Sequence, residues 1–344
     1  MNILVTGGTG YIGSHTVVEL IGAGHDVVIV DNLSNSEEFV VDRIEQIAGI
    51  RPAFVKADLR DENALRTAFS DFEKIDSVIH FAAFKAVGES VQNPLLYYDN
   101  NISGMITLLK VMNDFGVGSM VYSSSCTVYG ESDKLPVDEQ SPIKRAESPY
   151  GFTKQVGERI LEDLAVSRGF SSVILRYFNP TGAHDTSLIG ELPLGVPNNL
   201  VPYITQTAIG EREMLTVNGN DYDTPDGTNI RDYIHGVDLA IAHLRALERL
   251  SEGKNADKFE VFNLGTGKGN SVMEVIKTFE EVTGLKLNYR IGPRRAGDVV
   301  SIYSDTRKAN EQLGWKAERN LADMMLTSWN WQKAVSGLNE KSNR

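Results

Sequence analysis

Short β-branched runs recur along the first half of the chain, at Ile3-Leu4-Val5, Val27-Val28-Ile29-Val30, Ala53-Phe54-Val55, Val78-Ile79-His80-Phe81, Met120-Val121-Tyr122 and Val173-Ile174-Leu175. Stretches of helical length separate them. Runs that are apolar at nearly every position mark strands buried on both faces, and their alternation with helices predicts a doubly wound parallel sheet. This α/β domain is expected to span residues 1–180.

Beyond Pro180 the pattern changes. Pro193, Pro197 and Pro202, with Asn198 and Asn199, predict a loop-rich entry, and the polar stretch from Asn218 to Asn229 predicts a second long loop of functional use. Val261-Phe262-Asn263-Leu264-Gly265 reads as one more strand, and segments near 230–265 are expected to rejoin the main sheet. Ser271 to Thr283 reads as a helix, with Ser271 as cap, Glu274 three residues on and Gly284 past the end. Residues 181–344 are thus expected to form a smaller α/β domain, ending in a polar tail from Ser336 to Arg344 that frays.

Composition narrows the function. With 344 residues, 41% hydrophobic and 23% charged, the chain can build its core without disulfides. Its single cysteine, Cys126, suits a reducing compartment. A net charge of −12 argues against nucleic acid as a partner, yet leaves room for an anionic small molecule in a local cationic pocket. The first strand starts at Asn2, too early for a signal peptide to precede it, and no apolar run reaches the ~18 residues of a transmembrane helix. A cytoplasmic protein with no membrane partner is expected. His15, His80 and His235 are too scattered to suggest a metal site.

Gly7-Gly8-Thr9-Gly10-Tyr11-Ile12-Gly13 follows the first strand and opens the first helix. Glycines there allow a tight turn and close approach of the backbone to a pyrophosphate, and the helix N-terminus adds free N–H donors. The strand–turn–helix context makes this a Rossmann-type dinucleotide site. Asp31, eighteen residues after Gly13, can accept hydrogen bonds from the adenosine ribose and would repel a 2′-phosphate, which favours NAD over NADP. Asp58, with Leu59 beside it, is placed to meet the adenine edge.

Tyr150 and Lys154 stand four residues apart, on one face of a helix. A free phenol with a pKa near ~10 is a poor base at neutral pH. An ammonium at ~4 Å would favour the phenolate by roughly 4 kcal/mol at an effective dielectric near 20, enough to bring the phenol towards neutrality. Ser123-Ser124-Ser125 closes the fifth strand at its carboxyl end, where ligands of open α/β sheets bind, and a hydroxyl there can donate to a sugar oxygen that becomes a carbonyl.

At these motifs the chain resembles the extended short-chain dehydrogenase/reductase superfamily, and within it the UDP-glucose 4-epimerases. Further matching stretches are Lys85-Ala86-Val87-Gly88-Glu89-Ser90, Tyr97-Tyr98-Asp99-Asn100-Asn101, Arg176-Tyr177-Phe178-Asn179-Pro180, Pro197-Asn198-Asn199-Leu200, Arg231-Asp232-Tyr233-Ile234-His235 and Pro293-Arg294-Arg295-Ala296-Gly297-Asp298. The resemblance implies Ser125, Tyr150 and Lys154 as the catalytic trio. It implies cofactor contacts from Gly7, Gly10, Tyr11, Ile12, Gly13, Asp31, Asn32, Asn35, Asp58, Leu59, Phe81, Ala82, Lys85, Asn100, Tyr150, Lys154 and Phe178. It implies UDP-sugar contacts from Lys85, Ser125, Thr127, Tyr150, Asn179, Asn199, Leu200, Leu215, Thr216, Asn218, Arg231, Arg295, Asp298 and Ile302, with no metal. Arg231 and Arg295 suit a diphosphate chemically, being planar multi-donor cations, and Asp298 suits the uridine ribose.

The reaction so implied is transient oxidation at sugar C4. The 4-keto sugar then rotates and takes hydride back on its other face, interconverting UDP-galactose and UDP-glucose. A homodimer pairing the helices of Tyr97 to Phe115 and Gly151 to Arg168 is also implied. Three positions depart from the family pattern. Asn218 stands where well-known relatives carry phenylalanine against the uracil, Ala83 replaces a glycine near the cofactor, and Ile302 occupies a variable place on the wall of the sugar pocket. As a stiff, bulky wall residue Ile302 predicts a preference for plain over N-acetylated sugars. A 4,6-dehydratase is the nearest rival, but Cys126-Thr127-Val128 follows Ser125 where that reaction uses an Asp-Glu pair. Epimerases acting on N-acetylhexosamine or glucuronate nucleotides are rivals within the same chemistry. A non-catalytic NAD-binding regulator would not need Ser125, Tyr150 and Lys154 intact.

Overall fold

The computed structural model describes residues 1–72, 74–295 and 298–342, with side chains as far as residue 337. Every strand expected from the apolar runs is present: β1 (Asn2–Thr6), β2 (Asp26–Asp31), β3 (Ala53–Lys56), β4 (Ser77–His80), β5 (Ser119–Ser125) and β6 (Ser171–Tyr177). Three strands follow, β7 (Asn179–Thr181), β8 (Leu215–Asn218) and β9 (Ile230–His235), before β10 (Phe259–Leu264) returns to the main sheet. That sheet has seven strands in the order β10-β6-β5-β4-β1-β2-β3, and all its pairings are parallel. The chain leaves β1 in one direction through β2 and β3 and resumes on the other side with β4, so a crevice opens beyond the carboxyl ends of β1 and β4.

The helices are α1 (Tyr11–Gly22), α2 (Phe39–Ala48), α3 (Glu62–Ser70), α4 (Val87–Gln92), α5 (Pro94–Tyr98), α6 (Gly104–Asp114), α7 (Pro149–Arg168), α8 (Leu200–Ala208), α9 (Gly236–Ser251), α10 (Val272–Thr283) and α11 (Leu321–Ser342). Successive strand residues point to opposite faces, so the sheet carries two apolar layers. Ile3, Val5 and Ile79 pack with Val17 and Leu20 of α1 and Leu239 of α9. Leu4, Val28 and Val78 pack with Leu65 of α3, Leu108 of α6 and Leu161 of α7.

The remaining short strands build the second half. β11 (Gly269–Ser271), β9, β13 (Ser301–Ile302) and β7 share one sheet, and β12 (Tyr289–Gly292) pairs with β8. Of the segments near 230–265, β10 joins the main sheet while β9 belongs to this second one. α10 begins at the expected cap: Ser271 Oγ accepts from Glu274 N at 3.1 Å, and Glu274 Oε2 accepts from Ser271 N at 2.8 Å.

Two expectations need correction. Pro202 is not in a loop but in the first turn of α8, where the missing N–H would have had no intrahelical partner. The tail does not fray from Ser336, because α11 continues to Ser342 and Ser336 Oγ donates to Glu211 at 2.7 Å. Asn343 and Arg344, with Ala296 and Gly297 of the family-like stretch, lie outside the described residues.

Candidate active site

A cleft of about 1090 Å³ lies beyond the carboxyl ends of the strands, between the seven-stranded sheet and the short strands of the second half. Its floor is the glycine turn. Gly7 has φ +71°, which a side chain would strain, and a Cβ there would lie 2.7 Å from Ala82 N. A Cβ at Gly13 would collide with Gly7 O. Backbone packed this closely presents bare peptide to the cleft, the surface that a pyrophosphate needs. Asp31 stands at the end of β2, where its carboxylate accepts from Leu33 N at 2.9 Å and Thr9 N at 3.3 Å. These residues fit an NAD dinucleotide.

Asp58, expected to meet the adenine edge, lines the cleft with its carboxylate already held by neighbours. Arg60 grips both its oxygens, from Nε at 2.9 Å and a terminal nitrogen at 2.8 Å, and Asn32 adds a bond at 3.0 Å. The Arg60 guanidinium holds the carboxyl well below the usual carboxylate range. All the expected cofactor positions, Asn35, Asn100 and Phe178 included, line the cleft.

Tyr150 and Lys154 enter from the first turns of α7, whose N-cap Ser148 accepts from Gly151 N at 3.1 Å. Lys154 Nζ donates to Ser123 O at 2.7 Å and lies 5.1 Å from the centroid of the Tyr122 ring. Burial pulls the ammonium down to about 8, with Glu158 acting in the opposite direction. Burial also pushes the Tyr150 phenol up to about 12, against a downward pull from Ser125. The lysine therefore does not by itself bring the phenol to neutrality. Both groups lose water, and Lys154 spends its bond on the Ser123 carbonyl.

At the far end of the cleft Asp298 sits between two arginines. Arg295 donates to it at 2.7 Å, and an Arg231 nitrogen lies 3.6 Å away. Asn218 lines the cleft at the end of β8, and four residues on, the buried Tyr222 ring is covered by the Arg294 guanidinium at 4.2 Å. Asn179, Asn199, Leu200, Leu215 and Thr216 also line the cleft.

Two expected substrate residues do not line it. Ile302 is buried in a cluster with Cys126, Val128, Tyr129, Val137 and Phe178. It packs there because β13 pairs with β9 and turns this side chain into the core. Ile302 therefore gives no ground for excluding N-acetylated sugars. Thr127 lies in the 3₁₀ turn after β5, packed towards Gly151, with its hydroxyl buried. Glu191 was missed: its carboxylate bridges Lys85 Nζ at 3.1 Å and Asn199 Nδ2 at 2.6 Å. No motif marks it, and it reaches Lys85 across 106 positions of sequence. The His15 ring lies 6.1 Å from that of His184, a histidine not among the three named from sequence. Among the described residues no group of three or more His, Cys, Asp or Glu could hold a metal, and no helix is long and apolar enough to cross a membrane.

Residues 4–327 match the family model described as GDP-mannose 4,6 dehydratase. Among curated proteins, UDP-glucose 4-epimerase of Haemophilus influenzae is 50% identical over 97% of this chain and 98% of its own length. That of Bacillus subtilis is 50% identical over 97% of both chains. Among solved structures, UDP-glucose 4-epimerase of Stenotrophomonas maltophila, with bound NAD and formylated UDP-arabinopyranose, superposes with a TM-score of 0.94 at 50% identity. The match covers 98% of this chain and 99% of that one. The Bifidobacterium longum enzyme, in complex with NAD+ and UDP, gives 0.94 at 46% identity over 98% and 99%. The broader family model includes dehydratases, but the turn after Ser125 lacks the acidic pair of that reaction, and half of all positions agree with epimerases from end to end. The chain belongs to the UDP-glucose 4-epimerases of the extended short-chain dehydrogenase/reductase superfamily.

Proposed function

We propose that this enzyme interconverts UDP-galactose and UDP-glucose by epimerisation at C4. The observation that carries the reading is the convergence of Tyr150, Lys154 and Ser125 with the glycine turn and the Arg231–Asp298–Arg295 group in one cleft. Arg231 and Arg295 would hold the diphosphate, with Asn179 and Asn199 along the path to the sugar. Ser125 would donate to the sugar 4-oxygen while Tyr150 takes the proton of its hydroxyl. Tyr150 acts as the phenolate, the form that the nearby Lys154 ammonium favours before the proton is taken and after it is returned. Bound NAD supplies a hydride acceptor and donor at C4 and a positive ring that favours the phenolate. Tyr150 then returns its proton to the oxygen of the turned sugar, and the enzyme is regenerated. Incubation with UDP-galactose alone, followed by chromatography, should yield UDP-glucose. The absence of UDP-glucose, or formation of a 4-keto-6-deoxy sugar, would reject the assignment. Denaturation of the purified protein should release NAD and not NADP.

The same reading divides the chain into an NAD-binding part over residues 1–180, rejoined by β10, and a UDP-sugar part over residues 181–344. It makes the protein a cytoplasmic enzyme of galactose metabolism and sugar-nucleotide supply, in keeping with the lone thiol of Cys126. It also makes it a homodimer. Leu95 on α5, Ile106 on α6 and Phe152 on α7 are large apolar side chains left exposed, Leu95 at 80%. A second copy would cover them. Light scattering at micromolar concentration should give twice the 37.9 kDa chain mass.

A further inference from the structure

The three serines that end β5 each meet a different part of the face of α7 that packs on the sheet. The carbonyl of Ser123 takes the Lys154 ammonium at 2.7 Å. The hydroxyl of Ser124 donates to Glu158 Oε1. The hydroxyl of Ser125 lies against the Tyr150 phenol. Tyr150, Lys154 and Glu158 follow one another at intervals of four, so one helical face carries all three. The helix lies close on the strand at this point, because a Cβ at Gly157 would collide with the Tyr122 hydroxyl.

Glu158 does not touch the cleft, yet its buried carboxylate is held from both β5 and β6. Arg176 on β6 donates to Oε1 from Nε at 2.9 Å and to Oε2 from a terminal nitrogen. The two side chains are 5% and 4% exposed. Arg176 also donates to Tyr129 OH at 3.0 Å, and that hydroxyl donates to Asn263 Oδ1 of β10 at 2.7 Å. The network thus ties α7 to β5, β6 and β10. A buried ion pair of this kind adds little stability over well-packed apolar side chains, since desolvation offsets the attraction. What it adds is direction: a greasy contact tolerates a small slide or rotation of the helix, whereas a bidentate pair with a third bond to a strand hydroxyl does not.

We propose that Ser124, Glu158 and Arg176 are positioning residues for the reaction, a clamp that fixes the register of α7 on β5 and so places Tyr150 and Lys154 against the end of the strand. The proposal rests on the assignment of Tyr150 as the base. The groups facing this pair are Glu158 on the same helix, Tyr97 on α5, Tyr122 on β5, His80 on β4, Tyr177 on β6 and Cys126 in the turn after β5. None of the six is altered in Ser124→Ala, which removes one bond and keeps the ion pair.

The test compares wild type, Ser124→Ala and Glu158→Gln as NAD-loaded enzymes. It records kcat, KM, the pH profile of kcat/KM, and the ultraviolet titration of the phenol that is lost in Tyr150→Phe. Release of the clamp moves the ammonium and the Ser125 hydroxyl away from their set places. We expect kcat to fall roughly tenfold or more with KM little changed, because misplacement of about an ångström is that costly. The acid limb of the profile and the Tyr150 titration should both move to higher pH. A lower melting temperature with unchanged profile and titration would make the network merely structural and overturn the proposal. If Glu158→Gln fails to fold, Ser124→Ala alone decides. Wild-type protein without turnover would reject the epimerase reading, while the Tyr150 titration would still show whether the clamp acts on the phenol.

Discussion

The Lys154 ammonium lies 5.9 Å from the centroid of the Tyr150 ring and gives its short bond to the Ser123 carbonyl. The lysine is therefore anchored to the strand rather than to the phenol, whose polar neighbour is the Ser125 hydroxyl. Replacing Tyr150 with Phe keeps the ring and removes the proton carrier. Turnover should fall by ~10²–10⁴-fold while the Kd for UDP stays within a few-fold. Steady-state kinetics with calorimetry of UDP binding checks both, and turnover within a few-fold of wild type would contradict the assigned base.

Arg231 is nearly buried, with its charge shared towards Asp298. A charge-assisted bond to a phosphate is worth about 1.5–3 kcal/mol. Arg231→Met should raise KM roughly ten- to hundredfold and leave kcat little changed. Unchanged KM would mean that the diphosphate is held elsewhere.

Ile302 fills space between Cys126, Val128, Tyr129 and Phe178. Ile302→Ala should cost about 2–5 kcal/mol of stability, the usual range for emptying a packed aliphatic site. Denaturant unfolding measures this directly. A loss below about 1 kcal/mol would return Ile302 to the pocket wall.

Acid should weaken the fold early. Burial lowers His15, His80 and His235 to about 3 and His243 to about 4. In the unfolded chain these rings protonate near pH ~6.5. Above that pH neither state takes the protons. As pH falls towards 3 only the unfolded state does, so stability is lost at about 1.4 kcal/mol per pH unit for each ring. Melting temperature should therefore drop steeply between pH 6.5 and 4.5. The His243→Gln variant should show a shallower drop, and an identical slope would remove that ring from the account.

What was legible in the sequence was whatever the chain states locally. The strands from β1 to β6 announce themselves by apolar runs, the glycine turn by its position between a strand and a helix, and Tyr150 with Lys154 by a four-residue interval on α7. The cap of α10 is equally local, because Ser271 and Glu274 satisfy each other's backbone within one turn. Tertiary structure decided what depends on partners far away in sequence. Glu191 reaches Lys85 across 106 positions, and Ser124 reaches Glu158 across 34. No spacing encodes such pairs. The strands β7, β11 and β13 are two or three residues long, too short to show a period of two. Which face Ile302 presents therefore depended on pairing with β9, and it was buried in the core. The Tyr150 phenol shows the same division. Its nearness to a lysine is written in the chain, but its pKa is set by the water that the folded cleft removes, and desolvation is a property of the assembled tertiary structure alone.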